Sequence, residues 1–404
     1  MKILEKIVFS LALGALMSCD TANELDNSKD EGAVVVREVP HIYVYTENSV
    51  EITSKEDYMQ ADMMIDGFGN YPNYTGSTRI RGRGNSTWGR PKKPYRLKLD
   101  KKSEILNLPA EKDWVLLAND YDPTMMMNAV AMQIAHLLNM PYTNHAVPVN
   151  LTINDTYRGS YMLTEQVEIS ETRVNVDEKQ GVLLELDSYF DEDWKFRSSH
   201  YDLPVMVKDP DVKNDAHFAT IQSDFQTMED LLAAATFPNN GYDELIDIES
   251  VVGFLITYNL TQNVEINHPK STYMHKDVNG KYTMGPVWDF DWGFDYNDDT
   301  KTHFDNAEGA LLRPYGERGT RFFSRFLEDP AVRDLYKRKW NQFRQEGMHK
   351  LLVYMADYYS FAGRSFKSDN ELWTDKKDYA IEYARMKAWL NARAEYIDRY
   401  VAEL

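Results

Sequence analysis

Two aspartates, Asp289 and Asp291, alternate with aromatic residues in the sequence GPVWDFDWGFD of residues 285–295. A period of two predicts a strand that points the acids to one face and the rings to the other. Carboxylates beside so much apolar surface carry a large desolvation cost unless a cation or hydrogen-bond donors compensate it. A divalent cation such as Mg²⁺ would do so. The alternative is that one aspartate caps the turn at Gly293 and the other forms a buried salt bridge.

A second group of chemically capable residues lies in the sequence RIRGRGNSTW of residues 79–88. Arginines, glycines and the run Asn-Ser-Thr in a strand-turn-strand context combine fixed positive charge, backbone donors and hydroxyls. Those are the parts of a phosphate-binding loop. The alternative is a surface hairpin whose arginines pair with some of the many acids in the chain.

The segment 95–99 that follows alternates strictly, which predicts a strand with Arg96 and Lys98 on one face. Lys98 is a candidate for the lysine that contacts a nucleotide phosphate, as the third-strand lysine of a kinase does. Lys93 is its rival. A solvated strand face is the simpler interpretation of both lysines.

The elements that must position these residues follow from periodicity and turn residues. The pattern predicts strands at 34–36, 41–45 and 113–117, a helix at 128–138, a hairpin of 147–153 with 158–164, and a strand at 181–187. It then predicts helices at 224–235 and 248–259, a hairpin of 272–275 with 282–288, and amphipathic helices from residue 320 onward. The loop after residue 259 and the last hairpin bring Glu265 and Lys270 toward Asp289.

Composition excludes several classes of function. The chain has 404 residues with a formal net charge of −19, and such a surface repels nucleic acid, so no nucleic-acid partner is expected. The single cysteine, Cys19, excludes intrachain disulfides and cysteine-based metal sites in the body. Neither an HExxH nor a GxSxG motif occurs, which removes support for zinc hydrolysis and serine esterase chemistry.

The first 32 residues resemble an export signal and a tether. Residues 1–18 have a basic start and an apolar run too short for a transmembrane helix, and the sequence LMSC that ends at Cys19 resembles a bacterial lipobox. Cleavage before Cys19 would leave a lipidated terminus, and the acidic residues 19–32 read as a disordered tether. The prediction is a protein of the cell envelope, on the outer membrane or cell surface, that meets the membrane only through its lipid. An ordinary secretory signal is the alternative.

The chain resembles the CotH family, the spore-coat-type atypical protein kinases, in five blocks that span most of the chain from about residue 35 to 300. The matching blocks occur in the family's order at 79–88, 93–99, 122–128, 159–167 and 286–291. The resemblance implies an α+β, divergent kinase-like fold over residues 33–404, with mixed and antiparallel sheets and a helical C-terminal region. It also implies ATP, a divalent cation (Mg²⁺, or else Mn²⁺ or Ca²⁺) and phosphate transfer to hydroxyls of an exported protein.

The resemblance also implies a role for each candidate residue. Glu265 would orient the attacking hydroxyl, and Asp289 would bind metal with Asp291 assisting it. The nucleotide would be held by Arg81, Arg83, Asn85, Ser86, Lys98, Glu165, Gln166 and Lys270.

The sequence departs from the family's pattern at two of these positions. Glu265 stands where the family usually has an aspartate, and Lys270-Ser271 stands where it places a metal-binding asparagine. A lysine there would supply positive charge itself. These departures leave a second interpretation open, a catalytically impaired surface module for binding or scaffolding, with glycan as one candidate ligand.

Overall fold

The structure is a computed structural model that describes residues 38–313, 316–373 and 378–404. The predicted signal peptide, the tether, Cys19 and the predicted strand at 34–36 lie outside the described residues. No helix in the described ranges is both long enough and apolar enough to span a membrane.

Seven strands of the N-terminal part close into a barrel. They are β1 (His41–Thr46), β2 (Met59–Asp66), β3 (Tyr74–Gly82), β4 (Tyr95–Ile105), β5 (Leu108–Leu117), β6 (Val147–Ile153) and β7 (Thr156–Glu165). Their order is β1-β2-β3-β4-β5-β7-β6, and a parallel pairing of β1 with β6 closes the ring. The alternation predicted for the start of β4 places Leu97 and Leu99 in a buried apolar cluster with Trp114 and Leu163.

A second, antiparallel sheet follows the barrel in the chain. Its strands are β8 (Val182–Leu186), β9 (Lys195–Arg197), β10 (Pro204–Asp209), β11 (Thr272–Lys276) and β12 (Thr283–Met284), in the order β12-β11-β8-β10-β9. The prediction of a strand reaching Trp288 was wrong, because β12 ends after two residues. Pro286 has no N–H to donate and cannot continue the ladder. Asp289 and Asp291 therefore lie in a loop.

Helices make up most of the rest. They are α1 (Met127–Leu137), α2 (Asp215–Ala233), α3 (Ile248–Leu260), α4 (Arg318–Phe326), α5 (Pro330–Gln342), α6 (Met348–Leu372) and α7 (Tyr379–Glu403). A π-helical segment, Phe343–Gly347, joins α5 to α6, and short 3-10 turns lie at Glu47–Ser49, Thr87–Gly89, Tyr242–Glu244 and Val264–Asn267. Every residue of α3 from Ser250 to Leu260 is buried, as expected for a helix that is apolar on all sides.

The helices and the second sheet share an extensive apolar core that is distinct from the barrel interior. A buried ion pair ties the two parts together, because Lys92 Nζ lies 2.6 Å from a carboxylate oxygen of Asp369 on α6. The predicted α+β class with C-terminal helices is confirmed. The closed barrel was not predicted, and the kinase-like character of the fold stays a prediction.

Candidate functional site

A polar cavity of about 330 Å³ opens between the barrel and the second sheet. The end of β3 and its following loop form one wall, and the loop after β12 with the start of β11 forms the opposite wall. The predicted site residues that line the cavity are Arg81, Arg83, Asn85, Ser86, Gln166, Lys270, Asp289 and Asp291. Residues separated by some 200 positions in the chain thus meet in one space.

The arginine wall is built by the end of β3. Arg81 donates through Nη1 to the backbone oxygen of Lys55 at 2.7 Å, and its guanidinium lies 4.7 Å from the ring of Tyr58. Arg83 lies 5.4 Å from the ring of Trp288. Burial lowers the pKa of Arg83, while the nearby Asp289 acts in the opposite direction. A partly buried guanidinium facing a carboxylate marks this wall as a place for anionic oxygens.

Gly82 and Gly84 in this wall are each required for a different physical reason. A Cβ built on Gly82 would lie 2.2 Å from a ring carbon of Trp88, so only glycine lets the strand pack against that indole. Gly84 has a φ of +80°, a left-handed conformation that favours glycine. Beyond it, Asn85 accepts a hydrogen bond from Lys55 Nζ at 2.9 Å. The turn that these contacts fix, residues 82–87, lines the cavity.

The lysine expected on β4 does not line the cavity, whereas its neighbour does. Arg96 contributes to the lining and donates to Asp113 at 2.8 Å. Lys98 lies 3.4 Å from the other carboxylate oxygen of Asp113 and is partly exposed. Sequence alternation placed both side chains on one face, but it gave no sign of which end of the strand meets the cavity.

The two aspartates on the opposite wall are positioned by their backbone. Asp289 has a φ of 64°, in the left-handed region. Asn263 donates to its backbone oxygen at 3.1 Å, and the N–H of Phe290 donates to Asn128 at the start of α1 at 2.8 Å. The ring of Phe290 is buried beneath the loop, so its neighbours Asp289 and Asp291 face the cavity.

The carboxylates of Asp289 and Asp291 place two negative charges close together. Burial, together with Asp289, raises the pKa of Asp291 well above its usual range. The hydroxyl of Ser271 lies 3.4 Å from a carboxylate oxygen of Asp289, a long contact. Two adjacent, partly buried carboxylates need a shared proton or a cation to relieve their repulsion. This observation fits a divalent cation with oxygen ligands.

Glu265 lies behind this wall and is not part of the cavity lining. It is 1 % exposed, and Lys270 Nζ donates to its Oε1 at 2.9 Å. Its buried Oε2 has no hydrogen-bond partner among the described residues. Burial, and then the neighbouring Asp289, raises the pKa of Glu265 to about 7.

Lys270 stands between Glu265 and the cavity. Its ammonium lies 4.9 Å from the ring centre of Trp292 and 5.4 Å from that of Tyr189. Burial alone would lower the pKa of Lys270, but Glu265 and Asp289 raise it above its ordinary value. The lysine is therefore a fixed positive charge at the acidic wall.

Glu165 and Gln166, the residues expected to read a nucleobase, are separated by the fold. Glu165 accepts from the backbone N–H of His145 at 2.8 Å and lies 2.6 Å from its ring Nδ1, and it does not line the cavity. Although burial alone would raise the pKa of Glu165, the hydrogen bonds from His145 lower it. Gln166 lines the cavity, and its side chain donates to the Val167 backbone oxygen at 3.1 Å.

Three charged residues of the second sheet line the cavity and were missed by the sequence reasoning. Asp187 accepts from the N–H groups of Tyr189 and Ser271 at 2.7 and 3.0 Å. Burial and the neighbouring Glu185 raise the pKa of Asp187 to about 6. Lys208 lies 3.1 Å from Glu185. Their only signal in the sequence was the position of Asp187 at the end of a predicted strand.

Residues 80–397 match the family model described as CotH kinase protein. This chain belongs to the CotH kinase family. The search of curated proteins returned no match. Membership is confirmed by a match that includes both walls of the cavity, apart from Lys55 and Glu56 at its edge.

CotH membership indicates a kinase-like function and, in general, the use of a nucleotide and a divalent metal. Within the described residues, no group of three or more histidine, cysteine, aspartate or glutamate side chains is arranged to hold a metal ion by itself. The acidic wall of this CotH protein therefore offers a partial ligand set. Such a set suits Mg²⁺, which is commonly bound by one or two carboxylates and completed by phosphate oxygens and water.

Proposed function

We propose that this chain is an atypical protein kinase that transfers the terminal phosphate of ATP to a hydroxyl of an exported protein. One observation carries the proposal: Arg81 and Arg83 face Asp289 and Asp291 across a single cavity. Phosphoryl transfer requires positive charge around the phosphates and carboxylates that hold a divalent cation. Membership of the CotH family supports the same reaction class.

Asp289 and Asp291 are the residues that would hold the divalent cation, with Mg²⁺ as the first choice and Mn²⁺ or Ca²⁺ as alternatives. The bound cation would neutralise charge on the phosphate oxygens. Arg81 and Arg83 would bind the phosphates from the other wall. Asn85 and Ser86 lie in the turn between β3 and β4. Their side chains would hold the phosphate chain in place.

Glu265 is the proton acceptor in this proposal. Its raised pKa suits a general base that works near neutral pH, and its unpartnered Oε2 is able to take a proton. Because Lys270 stands between this carboxylate and the cavity, the lysine must shift before an acceptor hydroxyl reaches Oε2. The proposal thus requires movement of one flexible side chain.

The same contact favours a second candidate, a nucleotide-binding module without transfer activity. If the Lys270–Glu265 pair at 2.9 Å stays closed, the carboxylate remains shielded and no base reaches the acceptor. Nucleotide and metal would still bind to the two walls. The two candidates therefore differ in transfer and agree in binding.

Binding is tested by thermal unfolding of the full chain with and without ATP and Mg²⁺. A ligand that binds only the folded state, present at about a hundred times its dissociation constant, should add roughly 2.7 kcal/mol to the free energy of unfolding. We expect Asp289→Asn to remove this gain. Asp298→Asn, a change at an exposed aspartate outside the cavity lining, should retain it. No gain for the wild-type protein at millimolar ATP would refute both candidates.

Transfer is tested with γ-labelled ATP and casein as a general acceptor. The kinase proposal predicts label on casein or on the protein itself, lost in Glu265→Gln while the thermal gain with ATP and Mg²⁺ persists. Binding without any labelled product, in wild type as well, would favour the module that has lost transfer.

The location of the protein is a separate part of the proposal. The sequence around Cys19 supports a lipid anchor and a cell-envelope location, with the membrane contacted only through the lipid. We expect metabolic labelling with palmitate in a bacterial host to depend on this cysteine. Label that persists in Cys19→Ala would contradict the anchor.

A further inference from the structure

We propose that the cavity takes a single divalent cation with its phosphoryl donor, and that the ammonium of Lys270 replaces a second one. Protein kinases commonly hold two Mg²⁺ ions against the phosphates of ATP. This inference rests on the proposed function and specifies how many cations the same site takes. It is argued from the position of Lys270, from the contacts of the other acidic side chains in the lining and from the ligands that remain.

Lys270 belongs both to the cavity and to the acidic wall. Its side chain lines the cavity, and its Nζ donates to Oε1 of the buried Glu265 at 2.9 Å. Burial lowers the pKa of Lys270, but the charges of Glu265 and Asp289 outweigh burial and raise it. The charge of Lys270 also acts on Asp291. One ammonium group is therefore within electrostatic reach of all three carboxyl groups.

Two aromatic rings hold this ammonium group beside the acidic wall. Nζ of Lys270 lies 4.9 Å from the ring centre of Trp292 and 5.4 Å from that of Tyr189. Such cation–π contacts favour a positive charge over each ring face. A divalent ion bound in the same place would displace the ammonium from both rings and from the carboxylate of Glu265. The position next to Asp289 is thus already filled by a cation of the chain itself.

Six acidic side chains of the lining lie outside the pair Asp289 and Asp291. They are Glu56, Asp120, Glu185, Asp187, Asp191 and Glu192. Lys208 forms ion pairs with both Glu185 and Glu192, and Arg90 forms one with Asp120. Glu56 and Asp191 are exposed to solvent. These five side chains are therefore either engaged by a basic residue or already hydrated.

Asp187 is the sixth, and backbone donors hold both of its oxygens. One oxygen accepts from the N–H of Tyr189 at 2.7 Å, and the other accepts from the N–H of Ser271 at 3.0 Å. Ser271 is a buried residue. A cation that drew Asp187 in as a ligand would compete with these donors, and a buried N–H without an acceptor is costly.

Asp289 and Asp291 are thus the carboxylates that remain for a cation. One or two carboxylates, completed by phosphate oxygens and water, are a usual ligand set for one Mg²⁺ ion. A second divalent ion would lie close to the ammonium of Lys270 and be repelled by it. The wall therefore provides for one divalent cation and one fixed ammonium.

The ratio of bound metal to bound nucleotide tests the inference. Equilibrium dialysis of the full chain against Mn²⁺ and AMP-PNP, a non-hydrolysable ATP analogue, measures both quantities without any transfer reaction. We expect about one Mn²⁺ per bound nucleotide in the wild-type protein, also at millimolar Mn²⁺. A ratio of about two would overturn the inference and leave the proposed function intact.

Three variants test whether Lys270 sets this ratio. Lys270→Asn removes the charge and adds an amide oxygen, so the ratio should rise to about two. Lys270→Arg keeps the charge and should keep the wild-type ratio. Lys55→Asn is the matched control, because this lysine also lines the cavity but donates to Asn85 on the arginine wall. An unchanged ratio in folded Lys270→Asn would show that Lys270 does not replace a cation.

The outcomes separate the two proposals. If AMP-PNP does not bind to the wild-type protein in Mn²⁺, both fail together. If the wild-type protein binds two Mn²⁺ ions with each nucleotide, only the cation inference fails. A ratio of one that rises in Lys270→Asn and not in Lys55→Asn supports both. The wild-type measurement is able to overturn the inference alone, so the test does not depend on any variant being stable.

Discussion

At the scale of single residues, Glu265 is an ionisable side chain that is almost fully buried. Its carboxylate is 1 % exposed, is paired with Lys270 on one oxygen and has no partner for the other among the described residues. A buried ion pair with an unsatisfied oxygen is poor evidence for stability. We attribute its presence to a chemical role.

The raised pKa of Glu265 predicts a definite pH dependence of stability. The carboxyl holds its proton up to about pH 7 in the folded state, compared with about 4.5 for an unperturbed glutamate. The folded protein therefore binds more protons than the unfolded chain between these values, and its free energy of unfolding falls as pH rises. Glu265→Gln should remove a part of this fall on the order of 2 kcal/mol.

Denaturant unfolding at pH 5, 6, 7 and 8 measures this effect. The readout is the slope, because replacing the carboxyl group by an amide also changes stability by an amount that does not depend on pH. As pH rises, the free energy of unfolding of Glu265→Gln should increase relative to that of the wild-type protein. Parallel curves would show that Glu265 titrates normally.

Asp291→Asn should have opposite effects in the absence and presence of ligand. Without metal, the wild-type protein must hold a proton or tolerate repulsion between Asp291 and Asp289, and the amide avoids both. We expect about 1 kcal/mol of added stability at pH 8 in EDTA. The same variant should lose most of the stabilisation given by ATP with Mg²⁺.

Thermal unfolding in EDTA and in ATP with Mg²⁺ tests this pair of effects. Asp193→Asn, at an exposed position outside the lining, is the control and should change neither. A variant that is less stable in EDTA and unchanged by ligand would mean that Asp291 has a structural role only.

The sequence predicted which residue types form the site better than it predicted where each side chain lies. Arg81, Arg83, Asp289 and Asp291 were recognisable because charged residues beside glycines or aromatic rings need a partner. Lys98 was predicted to reach the site and Arg96 was not, because strand alternation gives the face on which a residue lies and not its position along the strand. The pairing of Glu165 with His145 was invisible, since it depends on a contact between residues twenty positions apart.

At the scale of elements, α1 supports the acidic loop through its first turn. Asn128 accepts the N–H of Phe290 at 2.8 Å, which fixes the backbone between the two aspartates. Asp122 in turn holds the start of this helix by accepting from the N–H of Met127. The helix start and the loop thus form one unit, although they lie far apart in the chain.

Asn128→Ala should destabilise the protein and loosen the acidic loop. The variant leaves the Phe290 N–H buried without an acceptor, which costs about 1–3 kcal/mol. Affinity for ATP with Mg²⁺ should fall by about tenfold or more, because Asp289 and Asp291 lose their fixed spacing. Gln133→Ala, at a half-exposed position of the same helix, is the control. Unchanged affinity beside lowered stability would exclude a role for the helix in positioning the aspartates.

Element boundaries were predicted well for α1 and α3 and poorly for the acidic loop. The prediction for α2 was wrong at its start, because the helix begins at Asp215 and not at residue 224. The apolar residues of α1 and α3 extend along the whole of each helix, so the predicted bounds fell within one or two residues of those observed. The alternation at Trp288–Trp292 is the pattern of a strand, but Pro286 interrupts the hydrogen-bond ladder. The loop is instead held by side chains of other elements. A period of two in the sequence does not by itself distinguish a strand from such a loop.

At the scale of the whole molecule, closure of the barrel depends on a pairing that local sequence does not encode. β1 and β6 run parallel, with Val44 opposite Ile153, more than 100 residues apart in the chain. Many of the strands were predicted from alternation and turn residues, and the α+β class followed from them, but β2, β9 and β10 were not predicted. The order of the strands and the site between two cores arise only when distant segments meet.

The position of the cavity between two separate cores predicts how ligand affects the whole molecule. Arg81 and Arg83 belong to the barrel, whereas Asp289 and Lys270 belong to the part built on the second sheet and the helices. A phosphate chain with its cation would contact both walls at once, so it should suppress local opening on both sides together. Hydrogen exchange at residues 82–88 and 288–292 should slow with the same concentration midpoint. The turn at Asn154 and Asp155, outside the lining, should not change. Protection confined to the arginine wall would mean that phosphate binds there alone and that the acidic wall takes no part in holding the donor.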